Sequence, residues 1–238
     1  MLFRSPMAET DKHQDAMFYA IFALKMHFQS RPDVYVSGNN FVHFVEGDRN
    51  RHLSPDCYVV FGARSKGPRD NFKTWEEGAS PAVVFEFTSE KTRREDIGSK
   101  RKDYEQFLKT PEYYLFDPKG EYLKPRLQGL ILEDGTFRNQ PLDQNNRLYS
   151  AVLDLYLGYE GEQFRFYDPK TGVALLSPDE EHDRAERAEQ QLRLERERAE
   201  EALRTERNRA ELAETELAKL RAEIEALERK SKAEQAAL

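Results

Sequence analysis

An α/β fold, with a mixed central sheet flanked by helices and followed by a long C-terminal coiled-coil helix, is predicted from three features of this 238-residue chain. Residues 81–89 (PAVVFEFTS) form an apolar strand that leads directly into a charged helix. Residues 53–61 form a second short apolar strand upstream, opened by Pro55 and Asp56. Beyond Pro178 there is no further glycine or proline, and apolar residues recur at heptad spacing. The division falls near Ser177, giving a head of residues 1–176 and a tail of residues 177–238.

The elements follow in chain order. Met17, Ile21, Leu24 and Phe28 are spaced by 4, 3 and 4, which predicts an amphipathic helix over residues 12–29 lying on the sheet, capped by Thr10 or Asp11. Residues 34–37 and 41–45 read as strands around Gly38-Asn39-Asn40, and Glu46 closes the second as a loop acid. In the strand at 53–61, Pro55 sits at the start, where a missing N–H costs least. Asp56 is then either a Pro-Asp turn or strand-end cap, or one of two acids holding a hard divalent ion such as Mg²⁺. Cys57 alternates away from Asp56 and is expected to pack; as the single cysteine it excludes an intramolecular disulfide and a cysteine-rich zinc site. The polar loop before Trp75 carries Arg64, Lys66, Arg69 and Lys73, a candidate extension of any phosphate-binding patch.

Alternation in the strand at 81–89 sets Val84, Glu86 and Thr88 on one face, with Val83, Phe85 and Phe87 on the other. Burying an ionised carboxylate is costly without compensation, so Glu86 is a metal ligand, half of an ion pair, or an acid at an exposed strand end. In the helix over 96–108, Ile97, Tyr104, Phe107 and Leu108 make the expected apolar stripe, and Lys100 falls inside it. Lys100 forms either a solvated i,i+4 pair with Asp96, or an ammonium aimed at the two carboxylates, where it would stabilise an attacking hydroxide or a pentavalent phosphate. Lys91, Arg93, Arg94, Arg101 and Lys102 crowd the same segment, as phosphate contacts or as a solvated helix face. Residues 113–117, 127–132, 153–159 and 163–167 read as strands of a β-rich second half. His13, His27, His43, His52 and His182 show no ligand or triad spacing, and no Gly-rich phosphate loop, nucleophile elbow or zinc signature occurs.

Ser177-Pro178-Asp179-Glu180 is a capping box that opens the tail helix. Leu192, Ala199, Ala213, Leu220 and Leu227 keep one seven-residue register, and Leu203, Ala210, Leu217, Ile224 and Leu238 interleave. Arg196, Glu206, Ser231 and Glu234 interrupt the seam. Such a helix cannot bury its stripe alone, which predicts a homo-oligomer or folding against another chain.

Pro55-Asp56, Glu86-Phe-Thr-Ser89, Thr92, Asp96, Lys100, Tyr104 and residues 111–118 (PEYYLFDP) resemble the putative restriction endonuclease family abundant in cyanobacteria, within the PD-(D/E)XK nuclease superfamily. The resemblance covers roughly residues 10–178. It implies a restriction-endonuclease-like fold, with Asp56 and Glu86 as ligands for Mg²⁺, Mn²⁺ being a substitute, and DNA as substrate. The superfamily pattern places a lysine two residues after the second acid, and here that position is Thr88. In this family the lysine is inferred to have migrated to the following helix, which makes Lys100 the third catalytic residue beside Asp56 and Glu86. The same departure at Thr88 leaves open a catalytically inactive nuclease fold that binds DNA or a protein, assembled through its coiled coil.

From Ser177 onward the chain carries 13 Lys+Arg and 18 Asp+Glu, leaving 24 and 26 for the head, which is therefore −2 against −7 overall. No global basic footprint advertises nucleic acid, so phosphate contact is expected to be confined to the Lys91–Lys102 segment. No stretch approaches the apolar length of a membrane span, and Met1 to Pro6 lacks the apolar run of a signal peptide, so a cytoplasmic protein is expected.

Overall fold

A computed structural model describes residues 11–235. Met1 to Pro6, the candidate cap Thr10 and the seam residue Leu238 lie outside the described residues. The chain divides into two compact units, the first ending at Glu180 and the second beginning at Glu181.

In the first unit, a helix Asp11–His27 precedes strands β1 (Val34–Ser37), β2 (Phe41–His43), β3 (His52–Leu53), β4 (Cys57–Phe61) and β5 (Asn71–Lys73). After a one-turn helix, Thr74–Glu77, comes β6 (Val83–Phe87), a helix over residues 93–108, and then β7 (Glu112–Phe116). β8 (Leu127–Glu133), β9 (Thr136–Gln140), β10 (Leu148–Ser150), β11 (Leu155–Glu160) and β12 (Gln163–Tyr167) complete the head. The central sheet has the order β1-β4-β6-β7-β8-β9. It is mixed: β6 and β7 run parallel, and the other neighbours are antiparallel. A parallel pair needs a crossover connection, and the helix over 93–108 supplies it.

Both faces of β6 are buried, as its near-continuous apolar run requires. Val83, Phe85 and Phe87 face a core shared with Met17, Ala20 and Leu24 of the first helix and with Phe164 and Phe166 of β12. Val84 faces a second core, with Tyr58, Tyr104, Leu108, Tyr113 and Leu115. Cys57 is a free, buried thiol whose pKa is pushed up by burial, which suits packing. Two smaller sheets, β10-β11-β12 and β3-β2-β5, flank the main one.

The crossover helix departs from the expected stripe. Tyr104 and Leu108 are buried, but Ile97 is 46% exposed and Phe107 is 52% exposed. The reason is backbone geometry: Asp96–Lys100 and Tyr104–Leu108 are π-helical, alternating with α-helical Arg93–Glu95 and Arg101–Asp103. An i→i+5 turn is wider than an α-turn of about 3.6 residues, so the mixture averages near four per turn. The inward stripe therefore becomes Asp96, Lys100, Tyr104 and Leu108, a strict four-residue spacing that carries the charged pair to the sheet.

Three of the four cations in and beside the polar loop have partners within the fold. Arg69 makes a two-pronged contact with Glu77 and stacks on Tyr35, Lys66 donates to the Phe28 carbonyl, and Lys73 pairs with Glu76. The strand at 53–61 divides at Ser54–Asp56 into β3 and β4, which frees Asp56 from the ladder. The second half holds two strands with no sequence counterpart, β9 and β10. In the second unit, the helix Pro178–Gln235 continues from the first unit with its heptad leucines exposed.

Candidate active site

β4 and β6 pair antiparallel with Cys57 opposite Phe85, so Asp56 and Glu86 each lie one residue beyond the last paired position, at the same end of the two strands. Asp56 is fixed there by the Phe87 N–H, which donates to its Oδ2 at 2.7 Å. That bond is available only because Asp56 precedes β4 and its side chain reaches the neighbouring strand.

Glu86 is fully buried, which eliminates an exposed strand-end acid. Lys100 Nζ donates to Glu86 Oε2 at 2.9 Å, and the Tyr104 hydroxyl donates to Oε1 at 3.1 Å. Lys100 also lies 2.9 Å from Asp96 Oδ1, so the two readings of this lysine coincide: it pairs with Asp96 at i,i+4 and with the strand acid together. The Asp96 carboxylate is itself buried, not solvated.

Electrostatics follow from the count of charges. Asp56, Glu86 and Asp96 face one ammonium, an excess of two negative charges when all are ionised. Burial drives the Glu86 pKa well above the usual carboxylate range, against the pull of Lys100 and with help from Asp56 and Asp96. Burial likewise raises Asp96, again opposed by Lys100. For Lys100, burial alone would lower the pKa, but Glu86, Asp96 and Asp56 outweigh it and raise it, so the ammonium persists. Burial and the Glu86 charge hold Tyr104 as a phenol, a donor to the carboxylate.

The donor set fits a hard divalent cation. Mg²⁺ takes one or two carboxylates and fills its remaining positions with water or phosphate oxygens. Two neighbouring acids, one of them partly open to solvent, are of the kind that need would draw on, and a bound cation would favour their ionised forms. Among the described residues no group of three or more His, Cys, Asp or Glu side chains is arranged to hold a metal.

Lys91, in the turn before the crossover helix, and Arg94 and Lys102 on it are exposed, with Arg93 and Arg101 half-buried, outside the hydrogen bonds and ion pairs that join Glu86, Asp96 and Lys100. His13, given no role from sequence spacing, comes from the first helix to place Nε2 3.6 Å from Asp56 Oδ1. It sits 43 positions before Asp56 in the chain, and only the packing of the first helix on the sheet brings the two together. Tyr104 and Asp96 join the site through the four-residue spacing of the π-helical turns.

A mixed six-stranded sheet whose parallel pair is joined by a helical crossover is an α/β arrangement. Residues 2–160 match the model of the Uma2 family, described as "Putative restriction endonuclease", and the chain belongs to that family. The "Putative core protein L410" of Acanthamoeba polyphaga mimivirus is 33% identical over 85 residues, which is 36% of this chain and 12% of that protein. The chain thus spans only a small part of that curated relative. A crystal structure of a "putative nuclease belonging to DUF820" from Anabaena variabilis aligns with a TM-score of 0.45 at 12% identity, over 62% of this chain and 76% of that one.

Proposed function

We propose that this chain is a metal-dependent nuclease that hydrolyses DNA phosphodiester bonds at the Asp56–Glu86–Lys100 site. The observation that carries the reading is Lys100, whose ammonium bridges the buried Glu86 and Asp96 beside Asp56. A purely structural ion pair gains nothing from a third acid on the adjacent strand, whereas a cation site does.

Asp56 and Glu86 would hold Mg²⁺ or Mn²⁺. When bound, the ion supplies Lewis-acid stabilisation of phosphoryl charge and lowers the pKa of water. The Phe87 N–H and the Tyr104 hydroxyl fix the orientation of the two carboxylates. Lys100 would give its ammonium to the charge that develops on the scissile phosphate. Lys91, Arg93, Arg94, Arg101 and Lys102 would contact flanking phosphates, a role whose signature is salt-dependent affinity.

The tail would assemble the enzyme. Leu203, Leu217, Leu220, Ile224 and Leu227 are each more than half exposed on one helix, and a second copy of the chain is the proposed cover. No helix among the described residues is long and apolar enough to cross a membrane.

Calorimetric titration with Mn²⁺ tests the cation site. Wild type should bind and Glu86→Ala should lose at least tenfold in affinity; equal binding by both proteins would remove Glu86 from the site.

A further inference from the structure

The small sheet β3-β2-β5 has one face in the core and one in solvent. Val42, Leu53 and Phe72 point inward and are buried. Alternation and register then put Phe41, His43, His52, Asn71 and Lys73 together on the outer face. His43 lies opposite both His52 and Lys73, and Phe41 lies opposite Asn71. Phe41 is 49% exposed and projects from this outer face. Its ring meets His52 at 4.4 Å and His43 at 6.2 Å between centroids, and the two imidazoles are 5.2 Å apart. None of these five residues is acidic. Glu76 reaches the edge by pairing with Lys73 at 2.7 Å, an exposed and exchangeable ion pair.

The face adjoins the candidate active site through the chain itself. Asn39 donates its N–H to the Pro55 carbonyl, and the Tyr58 hydroxyl donates to the Asn40 side chain. Gly38 lies so close to the Asp56 backbone that a Cβ there would sit 2.0 Å from the Asp56 carbonyl oxygen. Phe41 is three positions beyond Gly38, a reach of at most about 11 Å.

We propose that this outer face is a binding platform for single-stranded DNA, with a base stacked on Phe41, the imidazoles extending the stack, and Lys73 meeting the backbone phosphate. One exposed ring flanked by two half-buried imidazoles suits a single strand, whose unpaired bases offer flat faces and whose phosphate can replace Glu76 beside Lys73. A duplex keeps its bases stacked inside and gives Phe41 nothing to cover. The assignment rests on the nuclease reading for its purpose, which is to hold an unpaired strand beside Asp56 and Glu86.

Fluorescence anisotropy of a labelled oligothymidylate with the full chain in EDTA separates the platform from catalysis. Phe41→Ala should weaken binding by about tenfold or more, Phe41→Tyr should retain it, and both should melt like wild type. Phe18→Ala, which removes an equally exposed ring from the first helix, should bind as wild type does. Unchanged affinity in Phe41→Ala, or an equal loss in Phe18→Ala, would overturn the platform. An equal loss for duplex and single strand would overturn its preference. Plasmid cleavage run alongside keeps the two claims distinct: cleavage with unchanged strand binding refutes the platform alone, whereas loss of strand binding without any cleavage refutes the nuclease alone.

Discussion

Lys100 decides how the acid cluster behaves, because it is the one ammonium among three carboxylates. Lys100→Ala should lower turnover by about 10²- to 10³-fold, the loss typical of removing a group that stabilises transition-state charge, with a smaller change in metal affinity. Steady-state cleavage rates paired with Mn²⁺ titration measure both. Lys102 is exposed and outside the cluster, so Lys102→Ala should leave turnover near wild type and weaken DNA binding mainly at low salt. The reverse pattern would move the catalytic role two residues along the helix. Glu86 and Lys100 stand out in the sequence as an acid within an apolar strand and a lysine within an apolar stripe, whereas Asp56 after Pro55 takes its proposed role from the family resemblance. His13 breaks no local pattern. Its imidazole approaches Asp56 only through packing of the first helix, and a single sequence carries no local trace of that contact.

At the scale of elements, the crossover helix shows where periodicity misleads. A uniform 3.6-residue spacing places Tyr104, Leu108 and Lys100 inward, as the structure does, but also Ile97 and Phe107, which the π-helical turns rotate out while Asp96 turns in. Helix type within a helical segment leaves little imprint on composition, so those three positions do not follow from the spacing. β9 (TFRNQ) was missed for a related reason: it is an edge strand with one buried residue and no alternation to detect. A more legible element is the capping box. Ser177 and Glu180 exchange backbone bonds, and Glu180 also pairs with Arg165 at 2.5 Å. The hydrogen bond from Arg165 holds the Glu180 pKa down at about 2 from an ordinary value of 4.5, against the effect of burial. A depressed carboxylate pKa gives stability that is complete above the unfolded value and is lost as pH falls toward the folded one. The melting temperature of wild type should therefore exceed that of Glu180→Gln by a constant margin above about pH 5.5, with the margin shrinking from there down to about pH 2. A margin independent of pH would assign the stability to packing instead.

For the whole molecule, loss of glycine and proline and a heptad spacing place the expected division near Ser177, and the two compact units divide between Glu180 and Glu181. What composition and spacing do not encode is what covers the seam. A chain ending at Glu180 keeps the Arg165 pair and should retain the head's cleavage activity while sedimenting as a monomer, against a larger species for the full chain. An unchanged oligomeric state would deny the tail its assembling role. The central claim, that Asp56, Glu86 and Lys100 form a metal-dependent nuclease site, is most directly tested by incubating supercoiled plasmid with the full chain and Mg²⁺ or Mn²⁺, beside Glu86→Ala purified identically. Nicking or linearisation by wild type, absent without metal and reduced at least about 10²-fold in Glu86→Ala, is the predicted result. Equal cleavage by both proteins, or none by wild type with either metal, would contradict it.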